Sequence, residues 1–201
     1  MGSSSPDCRT CLLLVAGGVV LSGASPVDRY TWALEVAIVV GVALLLVALR
    51  RRFVPSRGLR LLLLAYAAVM LVGAHWTYGH APPGEWAREL LDLERNPYDR
   101  FGHVLQGLVP VLVAREWLGP RARPGLLLAA GLAPVLLFEL LEPLAAALAP
   151  AGVDFVQAQG DPRDTLWDVV CAGAGVSVGL VHTIRTGSGQ PQLDQGARLE
   201  S

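Results

Sequence analysis

Residues 31–49 read TWALEVAIVVGVALLLVAL, and this apolar stretch decides the fold class. The hydrocarbon core of a bilayer is about 30 Å thick, so a helix that crosses it needs about 20 mostly apolar residues. Five further apolar blocks follow the same pattern, at 11–25, 59–76, 101–118, 125–146 and 166–184. The sequence therefore predicts an all-α fold, a polytopic membrane helical bundle of about six transmembrane helices.

The composition agrees with a membrane protein. Of the 201 residues, 53% are hydrophobic and 16% are charged, and the mean hydropathy is +0.47. Soluble domains carry about 25% charged residues. A disordered chain and a nucleic-acid-binding chain are both excluded, and the expected partner is the lipid bilayer. The composition identifies no protein partner.

The predicted domain organisation is a single transmembrane helical domain over residues 1–185. It is followed by a tail over 186–201, whose Gly, Pro and polar composition predicts disorder. The first block, 11–25, is the shortest, and small residues at 22–24 resemble a signal-peptide cleavage site. The segment before it contains one Arg and one Asp and thus lacks the positive charge that a signal peptide carries there. A retained helix is therefore favoured over a cleaved signal peptide.

The distribution of Arg predicts the orientation, since short cytoplasmic loops are enriched in positive charge. All 16 basic residues are Arg. Eleven fall in the loops of one side and five in those of the other. Six spans with both termini in the cytoplasm satisfy this bias, and they place loops 77–100 and 147–165 outside. Within the first of these loops, 85–95 alternates apolar and charged residues with a helical period, which predicts a short interfacial helix.

Ionisable residues gather at one end of four blocks, at the outer membrane face in this orientation. They are His75, Asp99, Arg100, His103, Glu139, Glu142, Arg163, Asp164 and Asp168. An ionisable group within a membrane span costs roughly 2.5–3.5 kcal/mol on insertion scales, so such a group is expected to have a structural or functional role. The clustering predicts a polar pocket that faces the outer side.

The spacing within each helix indicates what the pocket binds. The carboxyl and imidazole groups form three same-face pairs at i, i+3 or i, i+4. Carboxylates and imidazole that converge from several helices are the ligand set of a divalent-metal site. The candidate metal ligands are Asp99, His103, Glu139, Glu142, Asp164 and Asp168. Among these, Asp99, His103, Glu139 and Asp168 are the candidate catalytic residues, which could activate water with the help of the metal ion.

Arg100 and Arg163 are candidate substrate-binding residues, because guanidinium groups bind anionic groups bidentately. A purely structural interpretation stays open. Asp99 and Asp164 stand where helix N-termini are expected, where Asp caps free N–H groups, and the two Arg could neutralise neighbouring carboxylates. The acids outnumber what two Arg can pair, which favours the functional pocket.

Four segments resemble the YjdF-type family of bacterial inner membrane proteins. They are 73–78 (GAHWTY), 95–107 (RNPYDRFGHVLQG), 138–142 (FELLE) and 159–168 (QGDPRDTLWD). The second and fourth segments are long enough to be specific, and the resemblance covers roughly residues 30–185. It implies a multi-pass protein of the bacterial inner membrane and supports His75 and Tyr78 as further substrate-binding candidates. It implies no particular reaction.

A more distant likeness is to VanZ-type membrane proteins. Their pattern of an acid and a His four residues apart, a Glu-bearing helix and a pair of Asp is similar to Asp99 with His103, to Glu139, and to Asp164 with Asp168. This likeness points toward the cell envelope.

Three functions follow from the sequence. The first is a metal-binding protein or an envelope enzyme whose pocket opens to the outer face. The second is a small ion-coupled transporter, which is less favoured because no internal repeat is visible. The third is a structural or assembly subunit whose ion pairs only hold the bundle together. Whether the protein is an enzyme is left open, and a divalent metal ion is the one cofactor that the residues suggest.

Overall fold

The computed structural model describes residues 7–149 and 163–187, and all regular structure in these ranges is helical. The helices are α1 (Cys8–Ser22), α2 (Arg29–Leu49), α3 (Arg57–Trp76), α4 (Pro82–Leu90), α5 (Tyr98–Leu118), α6 (Pro124–Leu148) and α7 (Asp164–Gly187). The predicted all-α class is confirmed. The predicted loop 147–165 and the predicted disordered tail lie largely outside the described residues, although α7 runs on into the start of that tail.

Side chains at the helix ends explain several of these boundaries. Asp7, Asp28 and Ser56 precede α1, α2 and α3, and each accepts a hydrogen bond from the N–H three residues on, at 2.7, 2.7 and 3.3 Å. Such caps satisfy one of the N–H groups that a helix start leaves unpaired. At the other end, α3 stops where Thr77 adopts a left-handed conformation with φ 55°.

Within the described residues, four helices are long and apolar enough to cross a membrane, namely α2, α3, α6 and α7. Helix α1 is apolar but has only 15 residues, which at 1.5 Å per residue is about 22 Å and shorter than the hydrocarbon core. Helix α5 has the length, with 21 residues, but it carries the polar residues of the candidate site. The count of six spans and the cytoplasmic position of both termini stay predictions.

The helices pack as two groups. Helices α1 and α2 lie against α3, and helices α5, α6 and α7 lie against one another. Packing is closest between α5 and α7, because a Cβ atom on Gly107 would lie 2.0 Å from the carbonyl oxygen of Ala172. Contacts between α3 and α5 join the groups. A hydrogen bond of 2.8 Å from the Tyr30 hydroxyl to the Ala145 carbonyl also joins them.

A short helix is present where an interfacial helix was predicted, but its bounds differ from the expected 85–95. Helix α4 begins three residues earlier, because two prolines occupy its first turn, where a missing N–H costs nothing. It ends at Leu90, and Asp92 then turns the chain with φ 51°. Trp86 and Leu90 on α4 are exposed, which suits a helix that lies at the bilayer surface.

Candidate functional site

A small cavity of about 30 Å³ lies between α2, α3, α5, α6 and α7. Its polar walls are Glu35, Tyr78, Asp99, His103, Gln106, Glu142 and Asp168. This volume holds about two water-sized spheres. The cavity therefore lies at the seam between the two helix groups, and four carboxyl groups face it.

His103 is the centre of the site. Its Nε2 atom lies 3.7 Å from Asp99 Oδ1, 3.8 Å from Glu139 Oε1 and 3.9 Å from Asp168 Oδ1. Asp99 stands one helical turn before His103 on α5, whereas Glu139 and Asp168 come from α6 and α7. All three distances exceed those of hydrogen bonds, so the side chains converge without binding one another.

Three of these residues have the geometry of a metal site. One ligand atom each from Asp99, His103 and Asp168 can be chosen so that all three lie within 4.8 Å of one another. Ligand atoms of this kind lie about 2.0–2.6 Å from the ion they share. Two ligands of one ion are therefore separated by at most about twice that distance, which the three atoms satisfy. Glu139 approaches the same His103 atom from α6. The arrangement is thus able to hold a cation.

The polar atoms of the site are buried, which makes an unsatisfied hydrogen bond there destabilising. Residue exposure is 5% for His103, 4% for Asp168 and 9% for Glu139. Within the described part of the chain, His103 Nδ1 and Asp168 Oδ1 have no hydrogen-bond partner. A buried polar group left unsatisfied costs about 1–3 kcal/mol. Such groups are retained when an ion, a water molecule or a substrate satisfies them.

Two Arg residues near the site, Arg95 and Arg100, make contacts outside the cavity wall. Arg95 forms an ion pair with Asp164 at the start of α7, and Arg100 stacks over the Trp167 ring with its guanidinium carbon 5.4 Å from the ring centre. Of the described residues, no Arg lines the cavity. Asp164, a predicted ligand, is held by Arg95 and is not part of the cavity wall.

The other predicted residues fall in different places. Glu142 lines the cavity from α6, and Tyr78 lines it from the turn after α3. Arg163 is exposed at the start of α7. His75 lies elsewhere, because its Nδ1 atom is 2.7 Å from the carbonyl oxygen of Ser22, between α1 and α3.

Tyr78 reaches the cavity through an unusual turn. Thr77 and Tyr78 both have positive φ, 55° and 45°, a conformation that is rare for residues with a side chain. The Tyr78 ring packs directly on Gly73, where a Cβ atom would lie 2.3 Å from the ring. Only glycine leaves room for the ring at that position.

Glu35 is the residue that the sequence analysis missed. It lies on α2, is buried, and accepts a hydrogen bond of 3.2 Å from the Tyr78 hydroxyl. Its signal was present, because a Glu within the apolar block 31–49 carries the same cost that drew attention to the other acids.

Asn96 fixes the start of α5 and thereby Asp99. Its side-chain oxygen accepts a 3.0 Å hydrogen bond from the N–H of Tyr98, while its amide group donates to the Ala81 carbonyl at 3.1 Å and to Glu85 at 2.9 Å. Glu85 also accepts a hydrogen bond from Arg88 at 2.7 Å. The hydrogen bonds from Arg88 and Asn96 hold the pKa of Glu85 below its usual value.

Comparison with known proteins gives the family. Residues 8–188 match the family described as "Predicted membrane protein (DUF2238)". The inner membrane protein YjdF of Escherichia coli (strain K12) is 38% identical over 175 residues, which cover 83% of this chain and 84% of that protein. No solved structure matches the chain. These matches confirm the YjdF-type resemblance and the prediction of a multi-pass inner membrane protein.

The family match spans α1 to α7 and therefore includes every residue around the cavity. The chain belongs to the DUF2238 family of membrane proteins, to which it is matched over nearly its whole length.

Proposed function

We propose that this membrane protein binds a divalent cation between Asp99, His103, Glu139 and Asp168. The observation that carries the proposal is the convergence of three carboxylates on one imidazole nitrogen at 3.7–3.9 Å. Carboxylate and imidazole ligands suit several divalent transition metals. Asp164 is left out of the ligand set because it is paired with Arg95.

The charges of the site support a cation more than a purely structural role. Structural carboxylates in a low-dielectric interior are expected to pair with Arg or Lys, because an isolated buried charge costs several kcal/mol. Among the described residues, the cavity wall contains four carboxyl groups and no Arg, and the chain has no Lys. A bound cation supplies positive charge inside the cavity, in addition to the Arg95 and Arg100 guanidinium groups that act on Asp99 from outside its wall.

The proposed topology gives the cation a role at the outer face. With six spans and both termini in the cytoplasm, Asp99 and Asp168 lie near the outer ends of their helices. A metal ion there can lower the pKa of bound water and can polarise a phosphate or carbonyl group. Arg100 and Arg163, near the outer ends of α5 and α7, are the proposed binding groups for an anionic part of the substrate. The proposed activity is that of a metal-dependent envelope enzyme.

The test is the metal content of the full chain purified in detergent. After incubation with Mn²⁺ or Zn²⁺ and removal of excess ions, we expect about one ion per chain, because the described residues contain one cluster of ligands. His103→Ala and Asp168→Asn should lose the ion, whereas His182→Ala, an exposed His at the other end of α7, should keep it. Wild-type protein that retains neither metal and shows no increase in thermal stability with either would contradict the proposal.

A further inference from the structure

We infer that the protein binds the headgroup of an anionic phospholipid at the end of the bundle opposite the candidate site. Asp99 lies near the start of α5, whereas the binding surface lies at the other end of that helix. The surface consists of exposed Arg residues from the loop between α2 and α3 and the loop between α5 and α6. This basic surface contains Arg50, Arg51, Arg52, Arg57, Arg121 and Arg123.

The two loops of the basic surface are in contact. The N–H of Ser56, just before α3, donates a hydrogen bond to the carboxylate of Glu116 in the last turn of α5. Beside this bond, the Phe53 and Trp117 rings stack with their centres 5.8 Å apart. The first loop belongs to the helix group of α1, α2 and α3, and the second belongs to the group of α5, α6 and α7. Arg residues of both groups therefore share one surface.

The positive charge of this surface is poorly balanced by acids. Among the described residues at this end of the bundle, the acids are Asp7 and Glu116. Asp7 accepts a hydrogen bond from the N–H of Thr10 at the start of α1, and Glu116 accepts one from Ser56. Concentrated like charge destabilises a compact structure by self-repulsion. A preference for Arg in cytoplasmic loops does not require two such loops to touch, so the contact indicates an anionic ligand that neutralises both.

The position of the surface identifies this ligand as a lipid. Arg50 follows the last residue of α2, Arg57 is the first residue of α3, and Arg123 precedes the first residue of α6. These three helices are long and apolar enough to cross a membrane, so their ends lie at the level of the phospholipid headgroups.

The chemistry of the surface agrees with this position. Clusters of Arg next to the end of a membrane span attract anionic lipids, and a guanidinium group binds a phosphate group bidentately. Trp117 is exposed beside the Arg residues, and Trp is enriched where the bilayer meets water. A phospholipid with a net negative charge therefore fits both the charge and the depth of the surface.

The experiment measures lipid binding to the full chain purified in a neutral detergent. Phosphatidylglycerol is added to wild type, Arg52→Gln, Arg121→Gln and the double variant, and native mass spectrometry gives the affinity for the first bound lipid. One Arg near the membrane surface contributes about fivefold to such an affinity. We expect each single substitution to weaken binding about fivefold and the double substitution about 25-fold.

The matched control is Arg29→Gln, an exposed Arg at the opposite end of α2. It lies roughly 30 Å from Arg52, well beyond the screening length of about 10 Å, so its affinity should stay within about twofold of wild type. Thermal unfolding without lipid verifies that each variant is folded. Arg51→Gln and Arg123→Gln, from the same two loops, replace a variant that is not.

Four outcomes would overturn the inference. Phosphatidylcholine could bind as tightly as phosphatidylglycerol, or inorganic phosphate at the concentration of the lipid could displace it, which would identify the ligand as a soluble anion. Arg29→Gln could weaken binding as much as Arg52→Gln, which would make net charge the cause. A loss in the variants of one loop alone would show that the two loops do not form one binding surface.

Discussion

Within the cavity wall, the Tyr78 hydroxyl donates a hydrogen bond of 3.2 Å to the Glu35 carboxyl group, and it also lies 3.4 Å from the Met70 sulfur. The bond gives the buried Glu35 carboxyl group a donor in a region that is otherwise poor in donors. In this position, the Tyr78 backbone adopts a rare conformation with φ 45°. A residue held under such strain is a reasonable place to look for function.

The first prediction concerns this pair. Tyr78→Phe removes the donor and leaves Glu35 buried, so we expect a loss of about 1–3 kcal/mol in the free energy of unfolding. Adding Glu35→Leu to Tyr78→Phe should cost less than the sum of the two single changes, because both partners of the bond are then gone. The measurement is unfolding of the four proteins in detergent. Strictly additive losses would show that the bond contributes nothing.

The sequence brings residues of one helix together more readily than residues of different helices. The Asp99 and His103 pair followed from its i, i+4 spacing, and Glu139 and Asp168 followed from the cost of a charge in an apolar block. The pairing of Asp164 with Arg95 and the separate position of His75 did not follow. These depend on distances between helices, which helical spacing within one sequence segment does not determine.

At the scale of elements, the contact of α5 with α7 brings the ligands together. Their backbones touch at two glycines: a Cβ atom on Gly175 would lie 1.9 Å from the carbonyl oxygen of Val104, and Gly107 is equally close to Ala172. Small residues let membrane helices approach in this way. Asp168 on α7 can approach His103 on α5 because only small residues separate the two helices in the turns that follow.

The second prediction tests this packing. Gly175→Ala should force the helices apart and cost at least about 1–3 kcal/mol of stability, as overpacking typically does. Gly173→Ala on the same helix is the matched control, because a Cβ atom there has no neighbour within 4 Å. Thermal unfolding in detergent compares the two. Equal stability of both variants would show that α5 and α7 are not in close contact.

The third prediction concerns α4 and its dependence on pH. Because hydrogen bonds from Arg88 and Asn96 lower the pKa of Glu85 below its ordinary value of 4.5, the charged group stabilises the fold above that pH. The contribution is lost as the pH falls through the lowered pKa. Glu85→Gln should therefore be less stable than wild type at neutral pH.

The same comparison, repeated in steps from neutral pH down to about pH 2, checks the sign. The difference in unfolding temperature between wild type and Glu85→Gln should shrink as the pH falls and the Glu85 carboxylate takes up its proton. A difference that stays constant across this range would exclude the carboxylate charge as its source.

At the scale of the whole molecule, the apolar blocks predicted where the helices lie, because burial in lipid leaves a strong signal in composition. Helix α5 shows the limit of that signal. Block 101–118 was predicted as a span, but α5 is less apolar than the four helices that are long and apolar enough to cross a membrane, since the site occupies one of its faces. Glu35 shows the opposite case: it is a single acid in a block that is otherwise apolar, so the block still has the composition of a membrane span and the acid was overlooked.

The fourth prediction tests the orientation of the molecule. In a chain whose three native cysteines are replaced by Ser, a Cys introduced as Glu89→Cys on α4 should react with a membrane-impermeant reagent added outside intact cells. Arg57→Cys at the start of α3 should react only after the cells are opened. The reverse pattern would place the candidate site at the cytoplasmic face.

The central claim is that His103 ligates a divalent cation, and pulsed electron paramagnetic resonance of the Mn²⁺-loaded full chain tests it most directly. We predict a ¹⁴N coupling from a single imidazole, which His103→Ala abolishes and His182→Ala leaves unchanged. A Mn²⁺ signal with water ligands alone, or a nitrogen coupling that survives His103→Ala, would contradict the account.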